Sequence, residues 1–156
     1  MMGIKEEVRA SYGEAFERRM RNWARAMAGS SGSYAAVTWG EPRGTDLTTP
    51  PPPVLTGEAE DTSAALATVL VRYRRAVELY WAWGDRDADL SALARRCGEG
   101  VDYRTFGRRV IDGHVLLQAE LARRTEAWRQ QRDRNENAIR VAAEAGRGLT
   151  GTILQV

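Results

Sequence analysis

The chain has 156 residues, 43% of them hydrophobic and 28% charged, with a formal net charge of +2. That is enough to bury one core of ordinary size, so one domain with extensions is expected. The charge is too small to identify a nucleic-acid binder. With a single cysteine, Cys97, and a single histidine, His114, no internal disulfide and no zinc cluster is expected. No apolar run approaches the ~20 residues that a membrane span needs, and the N-terminus lacks a signal-peptide core. A cytoplasmic protein with no membrane partner is expected.

Along the chain, Ile4, Val8, Tyr12, Phe16, Met20, Trp23 and Met27 recur every three or four residues and predict one amphipathic helix over residues 1–28. A Gly/Ser/Pro-rich loop over 29–60 follows. Gly29 to Ser33 stop the helix, Tyr34 to Trp39 form an extended segment, and Pro50 to Pro53 act as a stiff spacer. The main body is placed at 61–134. Asp61, Thr62 or Ser63 caps a helix whose buried face holds Leu66, Val69, Leu70, Tyr73, Val77, Tyr80 and Trp81, and which ends at Trp83-Gly84. A short helix carries Leu90, Leu93, Ala94 and Cys97 inward. The last long helix starts near Asp102 and reaches Gln130 or beyond. Residues 135–156 form a C-terminal extension, helical between Ala138 and Ala145 or continuous with the preceding helix. The glycines at 146, 148 and 151 predict a mobile tail from Arg147. The architecture is all-α.

The segment from Asp89 to Leu117 carries the functional expectation. A short helix, a turn at Gly98 and an arginine-bearing second helix have the layout of a helix-turn-helix, sigma-region-4-like, in which the second helix enters the major groove. At 100° per residue, Phe106, Val110, Gly113 and Leu117 face the core. The opposite side then presents Arg104 and Arg108, flanked by Thr105, Ile111 and Asp112, with Arg109 at the edge. Arginine's planar fork suits guanine edges and phosphates. Arg95 and Arg96 are placed to meet phosphates, with Arg86 as a secondary candidate, and Ala94 lets the two helices approach. Lys5 is the only lysine. The preference for arginine fits nucleic acid, and equally a GC-rich coding sequence. A plain helical hairpin with a solvated arginine face would give the same spacing.

The residues also resemble a family. RYRRAVELYWAWG (Arg72–Gly84), followed by LSALARR (Leu90–Arg96), is similar to the late-gene antitermination proteins Q of lambdoid phages. Those proteins share an aromatic-glycine helix end and then a leucine and an Ala-Arg-Arg before the turn. The second helix is similar at Phe106, Val110, Gly113 and Leu117, and Trp23-Ala-Arg-Ala-Met27 resembles their N-terminal helix. The resemblance covers roughly residues 16–121, at scattered positions. The turn is longer here, the proline-rich insert and the stretch after Leu121 are additional, and the cysteine cluster of the zinc-containing branch is lacking. The resemblance implies a transcription antitermination factor. Such a protein binds double-stranded DNA at a late promoter, engages RNA polymerase holoenzyme with its sigma factor, and carries it through terminators. The DNA-binding helix maps to Asp102–Val115.

Other features are read as structural. His114 lacks a nucleophile at catalytic spacing and is read as a packed or helix-surface histidine. Asp85, Asp87 and Asp89 resemble half a calcium loop, but Arg96 stands where a bidentate glutamate is needed. Gly146 and Gly148 do not make a phosphate loop. Trp81 and Trp83 close the core, whereas Trp39 or Trp128 is a candidate for exposure to a protein partner. No enzyme activity, cofactor or metal is expected. Two further readings stay open: a phage DNA-packaging recognition subunit of small-terminase type, for which residues 4–27 would be an assembly helix, and a promoter-binding repressor. A ring of many subunits would favour the packaging reading, and a monomer or small oligomer the antitermination reading.

Overall fold

In a computed structural model the described residues are 2–30, 53–83 and 89–153, and they form six helices and no strand. The all-α class is therefore observed. The segment 34–39, Trp39, Pro50 to Pro52, Asp85, Arg86 and Asp87 lie outside the described residues. Contacts divide the chain into two units, residues 1–120 and 121–156.

The first unit begins with α1 (Ile4–Ala10) and α2 (Glu14–Ser30). The sequence predicted one helix here. The chain bends between them because Ser11 ends α1, its N–H and its hydroxyl both bonding back to the carbonyl of Val8 at 3.1 and 2.6 Å. Gly13 then opens α2 through the bond from Glu17 N–H to its carbonyl. The apolar spacing runs across the bend, so Val8, Phe16, Met20 and Trp23 are buried as expected.

α3 (Thr56–Thr68) and α4 (Val71–Trp83) also replace one predicted helix. Asp61, Thr62 and Ser63 lie inside α3 and cap nothing. They hold α2: Arg19 bonds Asp61 and Thr62, and the indole of Trp23 donates to Ser63 Oγ at 3.0 Å. The entry to α3 is secured from α2 instead. Asn22, 3% exposed, accepts from Leu55 N–H at 2.9 Å and donates to Leu55 O and Glu58 Oε1, both at 3.0 Å. Leu55 itself, at the N-cap, has no side-chain acceptor. Between α3 and α4 the chain is extended at Val69, and Thr68 Oγ1 turns back to Ala65 O at 2.8 Å. The bend swings Leu70 out to 61% exposure, correcting its predicted place in the core.

α5 (Leu90–Cys97) and α6 (Tyr103–Ile153) follow. Asp89 caps α5 by accepting from the N–H groups of Ser91 and Ala92 at 2.9 and 3.3 Å. Leu90, Leu93, Ala94 and Cys97 are buried, the last as a free thiol. Gly100 takes a left-handed backbone (φ 74°) in the turn, where a side chain would be strained. Phe106, Val110, Gly113 and Leu117 all face inward, as the spacing requires. A Cβ at Gly113 would meet Val77 Cγ2 at 2.4 Å and the Tyr73 carbonyl at 3.1 Å, so α6 and α4 touch backbone to side chain there.

At the centre of this unit sits His114, fully buried. Trp81 Nε1, which can only donate, bonds His114 Nε2 at 2.9 Å. The ring proton must then be on Nδ1, which donates to Ser11 Oγ at 2.7 Å, and that hydroxyl donates to Val8 O. Tyr12 and Phe16 meet the imidazole edge-on, with ring centres 5.2 and 5.3 Å away. This chain of bonds ties the α1–α2 bend to α4 and α6. Desolvation holds the imidazole pKa down at about 3.

The second unit contains the rest of α6. The helix runs through Gly146 and Gly148 to Ile153, where the sequence predicted a mobile tail from Arg147. A helical glycine costs only ~1 kcal/mol relative to alanine, which the alanine-rich turns before it tolerate. No helix of the described residues is long and apolar enough to cross a membrane.

Candidate nucleic-acid interface

The capping of α6 fixes how its first turns present their side chains. Asp102 Oδ1 accepts from Thr105 N–H at 2.6 Å, and this backbone bond, foremost, holds the carboxyl below the usual carboxylate range. With the helix started there, Phe106, Gly107 and Val110 turn inward. Arg104, Thr105, Arg108 and Asp112 are exposed on the far side, while Arg109 and Ile111 are half-buried at its margins. Farther along, the exposed face becomes apolar at Val115 and Leu116. Within the first unit the basic strip on α6 is thus confined to its first three turns.

Arg104 does not float. Its Nε donates to Tyr103 Oη at 3.0 Å, and its guanidinium lies 5.7 Å from that ring's centre. Tyr103, 42% exposed, holds Arg104 in place. Arg95 and Arg96, at the end of α5, are exposed. Arg96 stacks on Trp83 at 4.4 Å, and its carbonyl accepts from Arg75 Nη2 at 3.3 Å. Trp83 is half-buried beneath it rather than closing the core.

Helix α1 flanks the strip. A Cβ on Gly107 would meet Ile4 Cγ1 at 2.3 Å, so α1 lies against α6 at that turn. The two helices and the start of α5 border a groove of about 680 Å³ that includes Lys5, Glu7, Asp89, Arg104 and Arg108. Arg104 and Arg108 are therefore brought together, with Lys5 as a third cation. Arg95 and Arg96 do not line the groove. The neighbourhood is of mixed sign, since Glu7 and Asp89 border it as well. Sequence periodicity gave no sign that Lys5 would stand here, because α1 and α6 are far apart in the chain.

Among the described residues, no group of three or more histidine, cysteine or acidic side chains could hold a metal ion. Comparison with family models, with curated proteins and with solved structures gives no match.

Proposed function

We propose that the chain binds double-stranded DNA through α5, the turn over 98–102 and the first turns of α6, acting together as a sigma-region-4-like helix-turn-helix. The observation that carries this reading is the solvent-facing strip of Arg104, Thr105 and Arg108, directly opposite the buried Phe106 and Val110. Side chains of that reach suit base edges, with guanine O6 and N7 the natural acceptors for arginine. Arg95 and Arg96 would meet phosphates and set the register. The resemblance to the phage Q family extends the proposal to biology: a transcription antitermination factor in the bacterial host cytoplasm, loading on RNA polymerase holoenzyme near a late promoter. No catalytic step is part of this role.

In vitro transcription from a late-promoter template bearing a terminator is the test. Read-through that needs the upstream DNA element supports the proposal. A blocked promoter with termination unchanged would make the protein a repressor instead. R104A and R108A should each weaken specific binding by about 1–3 kcal/mol for every base that the arginine reads, while R95A should weaken binding evenly across sequences and lower the salt slope by about one. Unchanged affinity in all three variants would remove this face from the interface.

A further inference from the structure

From Ala122 to Gly148 every described side chain on α6 is exposed except the half-buried Arg124. An isolated helix of this kind has little to hold it. The side-chain bonds along it are local ones within the helix, among them Gln130 to Glu126 at 3.0 Å, Gln131 to Asn135 at 2.9 Å, Arg140 to Asn137 at 2.8 Å and Arg132 to Glu136 at 3.6 Å, with the Arg132 guanidinium 5.3 Å from the Trp128 ring centre. Such pairs contribute a few tenths of a kcal/mol each. Asn135, Asn137, Gly146 and Gly148 are poor helix formers. Helical stability in proteins comes mainly from packing an apolar face, and here that face is open: Trp128 is 63% and Ile139 70% exposed.

These two residues share a stripe. Thr125, Trp128, Arg132, Asn135, Ile139 and Ala142 follow one another at alternating steps of three and four, the spacing of a coiled-coil seam, with Trp128, Ile139 and Ala142 as its apolar members and Arg132 and Asn135 as polar positions that set register. Val141 lies off it. Charge fixes which way a second strand would run. Residues 123–134 hold five arginines against two acids, whereas 135–148 hold two of each. A parallel pair would stack the basic halves and set Arg124 beside Arg129 of the other copy. An antiparallel pair sets the basic half against the neutral half. In the matching register, bulky Trp128 faces Ile139, Thr125 faces small Ala142, and Arg132 faces Asn135. Arg129 then flanks the seam beside Glu136 of the second copy.

We infer that residues 125–142 of α6 form a docking surface for a second copy of this chain, paired antiparallel about a point between Asp133 and Arg134. The surface is self-complementary, as a two-fold interface must be.

Sedimentation equilibrium on the full chain tests it, with far-UV circular dichroism as the control for fold. The wild type is expected to be a dimer. R129E and E136R each turn two attractions into two repulsions and should raise the dimer Kd roughly tenfold. The double reversal R129E/E136R should restore the wild-type Kd, because only the antiparallel register pairs those positions across copies. W128A should dissociate the dimer with helicity kept in the rest of the chain. A wild type that stays monomeric up to about 1 mM, a ring of many subunits, or a double reversal as weak as either single change would each overturn the inference.

Discussion

His114 illustrates how a single side chain can couple fold and acidity. Its imidazole is neutral in the folded protein, with both nitrogens bonded, and it resists protonation down to about pH 3. In the unfolded chain the same ring takes up a proton near pH 6.5. Because the folded value is depressed, stability is unaffected above about pH 6.5 and falls as the pH drops from there towards 3. At pH 5 the loss from this one group is about 2 kcal/mol. Urea denaturation at pH 7 and pH 5 should show it, and H114Q should be less stable at pH 7 yet lose this part of the pH dependence. A slope that survives in H114Q would place the proton uptake elsewhere. In the sequence His114 reads as a packed or helix-surface histidine, beside the apolar face of a helix, and the fold makes it packed. The sequence did not show the partners, since Ser11 and Trp81 come from distant segments that meet only in the fold.

At the level of helices, the two inward glycines of α6 are not equivalent. A methyl group on Gly113 would strike Val77, a buried β-branched side chain with no room to turn, and press on the Tyr73 carbonyl. G113A should therefore destabilise by about 1–3 kcal/mol despite alanine's better helix propensity. Gly107 faces Ile4, which sits half-buried on the seven-residue α1. G107A should cost less, because that short helix can shift. Thermal melts of the two variants will check the order, and a G107A as damaging as G113A would show α1 to be held as firmly as α4. The same scale shows what periodicity can convey. The 100° rule placed Phe106, Val110, Gly113 and Leu117 inside and Arg104 and Arg108 outside, because those positions lie on one uninterrupted helix. It could not reveal the bends at Ser11 and Val69. The apolar spacing continues across both, and neither has a proline. The glycine that follows Ser11, Gly13, is a weak signal on its own. Leu70 was misplaced for that reason, and Gly146 and Gly148 misled in the opposite sense, as breakers that do not break.

For the molecule as a whole, the division at residue 120 separates a unit with a dense core from one whose described side chains are nearly all in water. Hydrogen exchange should follow that division. Amides of Phe106 to Leu117 should exchange only through global opening, while those of residues 125–142 should exchange fast in dilute solution and slow down as protein concentration rises. Exchange over 125–142 that ignores concentration would separate that segment from self-association. None of this depends on whether DNA is the partner, so the two proposals stand or fall apart.

Cys97 adds a practical consequence. The only thiol in the chain is buried on the inward face of α5, 8% exposed, so an alkylating reagent reaches it slowly while the fold is intact. Its labelling rate is a clock for the detachment of α5, read without introducing any probe. Any covalent dimer found after oxidation would report molecules that had opened first.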